Sequence, residues 1–89
     1  MTCENWKMID ANINRAYPGF KNKLYNLYNL KEGDYKICIL VKLGFQNSVI
    51  SIIMNRSEPA VSLKRAKLYF KLTNQQGKAK DFNDFIIGL

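Results

Sequence analysis

Residues 47–72 read NSVISIIMNRSEPAVSLKRAKLYFKL and carry the strongest structural signal in the chain. Asn47 or Ser48 is suited to be the N-cap of a first helix, because either side chain can accept a hydrogen bond from a free backbone N–H. The apolar face of that helix consists of Val49, Ile50, Ile53 and Met54. The helix must be short, because residues 55–57 are polar and typical of a turn.

A longer helix is predicted directly after this turn. Pro59 is tolerated at the first position of a helix, so Ser57 or Glu58 would cap a helix that continues to about residue 72. One face of this helix is expected to lie towards the core and carries Val61, Arg65, Leu68 and Leu72. A short helix, a turn of about three or four residues and a longer helix are the parts of a helix-turn-helix motif.

Positive charge is concentrated on the second helix and the segment after it. The chain of 89 residues has 14 Lys and Arg against 7 Asp and Glu, which gives a formal charge of +7. Between Ala60 and Lys80 there is no acid, and the cations are Lys64, Arg65, Lys67, Lys71, Lys78 and Lys80. A short charge run is usually a solvated helix face, but its concentration on one helix favours a polyanionic partner such as nucleic acid or an acidic membrane surface.

A helix that reads duplex DNA needs short or apolar side chains towards the base edges and cations beside them for the phosphates. The first requirement is met by Ser62, Leu63 and Ala66. The second is met by Lys64, Lys67 and Lys71. These six residues are the predicted DNA-binding site. For Leu63 and Phe70, the alternative is packing against a neighbouring helix or subunit.

The rest of the chain is predicted to be helical as well. Apolar residues at helical spacing predict a helix over 4–16 and a second, short helix that begins near Phe20. A third apolar segment runs from about Asp34 to Leu43. We prefer a helix to a buried strand there, because the pattern is uninterrupted and no strand partner is evident. Asp81 is expected to cap a final helix with the apolar residues Phe82, Phe85, Ile86 and Leu89.

Composition argues against an enzyme or a metal protein. The sequence has no His, the most frequent general base and a frequent zinc ligand, and only two Cys. We therefore expect no catalytic activity, no cofactor and no metal site.

The cysteines and the apolar segments indicate a cellular compartment. Cys3 and Cys38 are too few for the disulfide framework of a small secreted domain, and Cys38 lies in an apolar run, where we expect a core residue and not a redox sensor. No signal-peptide pattern is present, and no apolar stretch approaches the ~18–20 residues of a membrane span. The cytoplasm is the expected compartment, and a membrane is not an expected partner.

An ordered set of residues in this sequence resembles the LuxR-type, or GerE-like, DNA-binding domain, particularly the form at the C-terminus of Bacteroidetes regulators. The matching residues are Leu30, Asp34, Cys38, Gly44, Ile50, Met54, Ser57, Val61, Leu68, Lys71 and Leu72. Upstream, Trp6, residues 17–20 and Leu24 resemble the segment that precedes the domain in those regulators. The departures from the family pattern are Lys31 for a capping Thr, Val49 for Glu, Ser51 for Ala, Arg56 for an apolar residue and Ala60 for Thr.

The resemblance implies an all-α helix-turn-helix bundle with a LuxR-like four-helix core and one or two extra N-terminal helices. Residues 1–29 would form a helical extension and residues 30–89 the DNA-binding domain. The implied function is a DNA-binding regulator of transcription, or its C-terminal effector domain, with helix 58–72 in the major groove. The implied partners are double-stranded DNA, a second copy of the chain on that DNA, and RNA polymerase.

The final helix is the predicted dimer interface. LuxR-type domains commonly pair through their last helix, and a large apolar surface on a small domain usually marks an interface. The alternative is that the same residues complete the core of the monomer with Trp6 and Phe20. The predicted interface residues are Phe82, Phe85, Ile86 and Leu89.

Two other functions fit the same pattern. A sigma-factor DNA-binding region uses the same helix-turn-helix. A helical protein-interaction module would use the basic segment only as a solvated face and would not bind DNA.

Arg65 and three aromatic residues are interpreted as structural. Arg65 lies on the core side of its helix, so we expect it to pair with Asp34 or Glu58, or to extend its guanidinium into solvent. Trp6, Tyr25 and Tyr28 could stack on single-stranded bases, but no cations are interleaved with them, so packing in the core or an interface is preferred.

Overall fold

Six helices make up most of the molecule in a computed structural model that describes residues 3–89, with side chains from Asn5 onward. They are α1 (Cys3–Ala16), α2 (Phe20–Leu27), α3 (Glu32–Lys42), α4 (Asn47–Ile53), α5 (Glu58–Thr73) and α6 (Ala79–Gly88). No strand occurs in these residues, so the predicted all-α class is confirmed. Over the same residues, no helix combines the length and the apolar character needed to cross a membrane.

One apolar core joins the N-terminal helices to the rest of the molecule. Ile13 of α1 and both Phe20 and Leu24 of α2 are almost completely buried, in the same cluster as Phe82 of α6. α5 packs against α2, α4 and α6, and α3 packs against α6. The predicted core face of α5 is confirmed, since its buried residues are Val61, Arg65, Leu68 and Leu72. α5 is therefore held from several sides and leaves one side open.

The turn between α4 and α5 consists of residues 54–57 and is fixed by backbone hydrogen bonds. Asn55 has a φ of 55°, a left-handed conformation that Asn adopts more readily than most residues. The N–H of Arg56 donates to the carbonyl of Ser51 at 2.9 Å, which is the long hydrogen bond of a Schellman motif. This ending stops α4 sharply, so α5 begins after a short connection, as predicted.

Ser57 caps α5. Its Oγ accepts a hydrogen bond from the N–H of Ala60 at 3.2 Å, and Pro59 stands in the first turn, so the sequence prediction for this end is confirmed. The prediction for α4 was wrong by one residue, because its N-cap is Gln46, without a side-chain hydrogen bond, and Asn47 is already helical. Gln46 has an extended backbone, and α4 begins after it without a side-chain cap.

Two other helix starts also differ from the predictions. α3 begins at Glu32 and not near Asp34, so Glu32 and Gly33 belong to its first turn. α6 begins at Ala79, two residues before the predicted cap Asp81. The carboxylate of Asp81 acts from within the first turn, where it accepts a hydrogen bond from the N–H of Lys78 at 2.8 Å. Asp81 therefore stabilises the start of α6 as the third residue of the helix and not as its N-cap.

The apolar face predicted for α4 is also shifted. Val49 is 37% exposed and Ile52 is 79% exposed, whereas Ile50 is fully buried. Ser51, next to Ile50, is also buried. Its hydroxyl donates a hydrogen bond to the carbonyl of Ser48 at 2.7 Å, so the buried hydroxyl group has a partner. Val49 therefore lies at the exposed edge of the predicted apolar face, and Ile50 lies at its buried part.

Candidate nucleic-acid interface

The open side of α5 brings together part of the predicted DNA-binding site. Leu63 is 57% exposed and Phe70 is 44% exposed, and Lys67 lies between them on the same face. Ser62 and Ala66 are only partly exposed and lie towards one edge of this face. The exposed face is therefore centred on Leu63, Lys67 and Phe70, and Phe70 was not among the predicted contacts.

The three predicted phosphate-binding lysines have different environments. The ammonium of Lys64 lies 2.9 Å from Oδ1 of Asp34, a residue that is 3% exposed. The ammonium of Lys71 lies 5.7 Å from the centre of the Tyr28 ring, at the range of a cation–π contact. Lys67 is exposed and has no partner among the described side chains. Lys67 is therefore the lysine of α5 most available to a ligand.

Arg65 is buried, but its predicted partner was wrong. Its Nη1 donates to Oδ1 of Asn83 on α6 at 3.2 Å, while Nε and Nη2 have no protein partner in the described structure. Asp34 is bound by Lys64 instead. Arg65 as a whole is 3% exposed, so its side chain does not extend into solvent. Burial lowers the pKa of Arg65 from its usual value. Arg65 therefore joins α5 to α6 and does not contribute to the open face.

A groove borders the open face of α5, between α5, the first turn of α3 and the turn after α4. Its volume is about 460 Å³. Two cationic residues outside the predicted site line it, Lys31 and Arg56. Both residues are departures from the LuxR-type pattern. A cation in place of a capping Thr and of an apolar residue is the sequence feature that could have indicated them as site residues. The charged residues that line the groove are Lys31, Asp34, Arg56, Lys64 and Lys67.

The predicted dimer residues are divided between the core and the surface. Phe82 and Ile86 are fully buried in the monomer, so their assignment to an exposed interface was wrong. Phe85 and Leu89 are partly buried, and the Phe85 ring meets the Tyr69 ring edge to face with centres 6.2 Å apart. Ile87, which was not predicted, is 57% exposed. An amphipathic helix shows the same residue spacing whether its apolar face lies in a core or in an interface.

The aromatic residues near the N-terminus surround a second cleft, of about 410 Å³. Trp6 and Tyr25 are partly buried against the core, as preferred, whereas Tyr28 is 43% exposed. The ammonium of Lys36 lies 4.8 Å from the Trp6 ring centre and 3.3 Å from a carboxylate oxygen of Glu32. The Trp6 ring is therefore already in contact with a cation that is paired with an acid of the protein itself.

Tyr35 links two helices in the same cleft. Its hydroxyl donates to Oδ1 of Asp10 on α1. Burial, together with this hydrogen bond, raises the pKa of Tyr35 above its usual value. Its ring contacts Tyr25 with centres 5.6 Å apart. Tyr35 therefore joins α3 to α1 and α2 and has no free ring face to offer.

Cys38 lies in the core of the molecule, which confirms its interpretation as a small core residue. It is fully buried, and burial raises the pKa of its thiol to about 12. In the part of the chain described, no group of three or more His, Cys, Asp or Glu is placed to hold a metal ion.

Comparison of this chain with protein-family models, with curated proteins and with solved structures finds no match. The resemblance to the LuxR-type domain therefore stays a prediction from the residues quoted above.

Proposed function

We propose that this chain is a DNA-binding regulator of transcription, or its effector domain, and that α5 enters the major groove of duplex DNA. The observation that supports this most directly is the open face of α5, which presents Leu63 and Lys67 one turn apart, after a short turn and a capped N-terminus. The major groove admits an α-helix, in which an apolar side chain can contact the thymine methyl group while a cation contacts a phosphate. A sigma-factor-like region would use the same geometry.

Binding to random duplex DNA is expected to weaken steeply with salt. If about four to six phosphates are neutralised, the logarithm of the binding constant falls against the logarithm of the salt concentration with a slope of roughly −4 to −5. Fluorescence anisotropy of a labelled duplex between about 50 and 200 mM salt measures this slope. A slope near zero, or no binding at the lowest salt, would contradict the proposal.

Leu63 and Lys67 are expected to have separable roles. Lys67→Ala should weaken binding to all duplexes about equally and reduce the salt slope by about 1, because it removes one phosphate contact. Leu63→Ala should instead change the preference among duplex sequences and leave the slope unchanged. The salt titration measures the slope, and selection from a random-sequence duplex pool measures the sequence preference. Lys67→Arg is the control that keeps the charge. Equal losses across all sequences for both Ala variants would remove Leu63 from the base contacts.

A second copy of the chain is the proposed partner on DNA, because two reading helices are needed for adjacent half-sites. The residues of α6 that remain accessible for this contact are Phe85, Ile87 and Leu89.

A protein-interaction module is the second candidate function. It is supported by Ile52, which is 79% exposed on α4 next to the turn, with Val49 on the same face. Neighbouring exposed apolar side chains can form a patch of the kind that marks a protein interface. The salt dependence described above distinguishes the two functions, because an apolar contact does not release counterions from DNA.

A further inference from the structure

The groove beside α5 is assembled from three separate parts of the chain. Lys31 comes from the residue before α3, Arg56 from the turn after α4, and Lys64 and Lys67 from α5 itself. The fold, and not a local run of charge, therefore brings these cations to one opening. The wall between them is neutral and partly apolar, with Gly33, Ile37, Met54, Ala60 and Leu63.

Most of the positive charge in this groove is not neutralised by the protein. Asp34 is the one acid among the lining residues, and Lys64 pairs with it at 2.9 Å. Lys31, Arg56 and Lys67 have no ion-pair or hydrogen-bond partner among the described side chains. Elsewhere, lysines bound to an acid or to a backbone carbonyl are Lys21, Lys23, Lys36 and Lys42. Three unpaired cations around one opening favour an anionic ligand.

We infer that this groove binds a phosphate of the DNA backbone, and that Lys31 and Arg56 are DNA-binding residues. The inference rests on the proposed function. Leu63 and Lys67 line the groove and also belong to the open face of α5, so an anion in the groove lies beside any base in contact with Leu63. The planar guanidinium of Arg56 can donate two hydrogen bonds to one phosphate, while the ammonium of Lys31 supplies a point charge.

A phosphate held in this way would set how α5 lies along the duplex. Phosphate contacts fix register and orientation but carry no direct sequence information. Lys31 and Arg56 therefore determine affinity and placement, whereas Leu63 determines preference among sequences.

The test is the double variant Lys31→Ala/Arg56→Ala, compared with the parent in the same salt titration. The salt slope should fall by about 1, and affinity at about 0.1 M salt should fall on the order of tenfold, because the variant no longer binds this phosphate. The matched control is Lys7→Ala/Arg15→Ala, which removes one Lys and one Arg from exposed positions of α1, outside the groove and outside the basic segment. The control should keep the slope of the parent to within about 0.5.

The outcomes separate the inference from the proposed function. A parent that binds duplex DNA, with a slope reduced by Lys67→Ala but not by Lys31→Ala/Arg56→Ala, overturns the inference and leaves the proposed function in place. An equal loss in the Lys7→Ala/Arg15→Ala control also overturns the inference, because the effect would then follow net charge alone. A parent that does not bind duplex DNA overturns both.

Lysine acetylation of the parent provides a measurement that needs no variant. With duplex DNA bound, Lys31 and Lys67 should be protected from an acetylating reagent at least several-fold, while Lys7 on α1 keeps its reactivity. Mass spectrometry of proteolytic fragments measures each lysine separately. Lys31 that reacts equally with and without bound DNA would overturn the inference.

Discussion

Phe82→Ala is expected to lower the free energy of unfolding by about 3–5 kcal/mol, because it leaves a cavity in the core that cannot fully collapse. Phe82 is fully buried in the cluster that also contains Ile13 and Phe20. For a chain of 89 residues the whole stability is about 4–13 kcal/mol, so the loss is a large share of it. Urea unfolding followed by circular dichroism measures the change.

The control for this variant lies on the same helix. Ile87 is 57% exposed, so Ile87→Ala should change the free energy of unfolding by only about 0.5 kcal/mol. Sedimentation of both variants shows whether either one changes the oligomeric state. A Phe82→Ala protein that keeps its stability but loses a dimer present in the parent would place Phe82 in an interface and contradict its burial in the monomer.

Lys64→Ala is expected to destabilise the fold by roughly 2–4 kcal/mol, because it leaves the carboxylate of Asp34 buried without its partner. The Asp34 side chain is 4% exposed and that of Lys64 is 39% exposed, so the two ends of this ion pair are not equivalent. Loss of Asp34 leaves a lysine that can turn to solvent, whereas loss of Lys64 leaves a buried charge. Asp34→Asn should therefore cost less than Lys64→Ala in the same urea titration.

Lys67→Ala is the matched control, since Lys67 is exposed on the same helix and unpaired. Its effect on stability should stay within about 0.5 kcal/mol. The double variant Asp34→Asn/Lys64→Ala should recover part of the loss seen for Lys64→Ala, because the buried charge is then removed. Equal stabilities for Lys64→Ala and Lys67→Ala would show that the ion pair does not stabilise the fold.

The helices could be predicted where apolar spacing and strong breaking residues coincide. α1 and α5 were placed to within one residue at each end, because Pro18 and Gly19 interrupt the first pattern and Ser57 with Pro59 begins the other. The starts of α3 and α6 were missed, because their N-caps, Lys31 and Lys78, are not usual capping residues. Both N-caps have an extended backbone, and the start of α6 is also marked by the hydrogen bond from the N–H of Lys78 to Asp81.

The candidate site was less predictable, since it depends on contacts between distant parts of the chain. Helical spacing places Lys64, Lys67 and Lys71 near one another but does not show that Asp34 binds one of them. Arg65 was assigned correctly to the core side, yet its partner on α6 lies beyond any local pattern. The groove that contains Lys31 likewise combines residues from separate parts of the chain, and a local sequence pattern does not show that they lie together.

Because Cys38 is buried, the rate at which its thiol is modified measures how often the folded molecule opens. Alkylating reagents attack the thiolate, so a thiol with a pKa near 12 inside the core reacts only in molecules that have opened. In a background of Cys3→Ser, the rate of modification by iodoacetamide, divided by that of an unfolded peptide, gives the fraction of open molecules. The labelling rates of the variants relative to the parent would then give their differences in stability without denaturant. The measurement can be made under the conditions used for DNA binding.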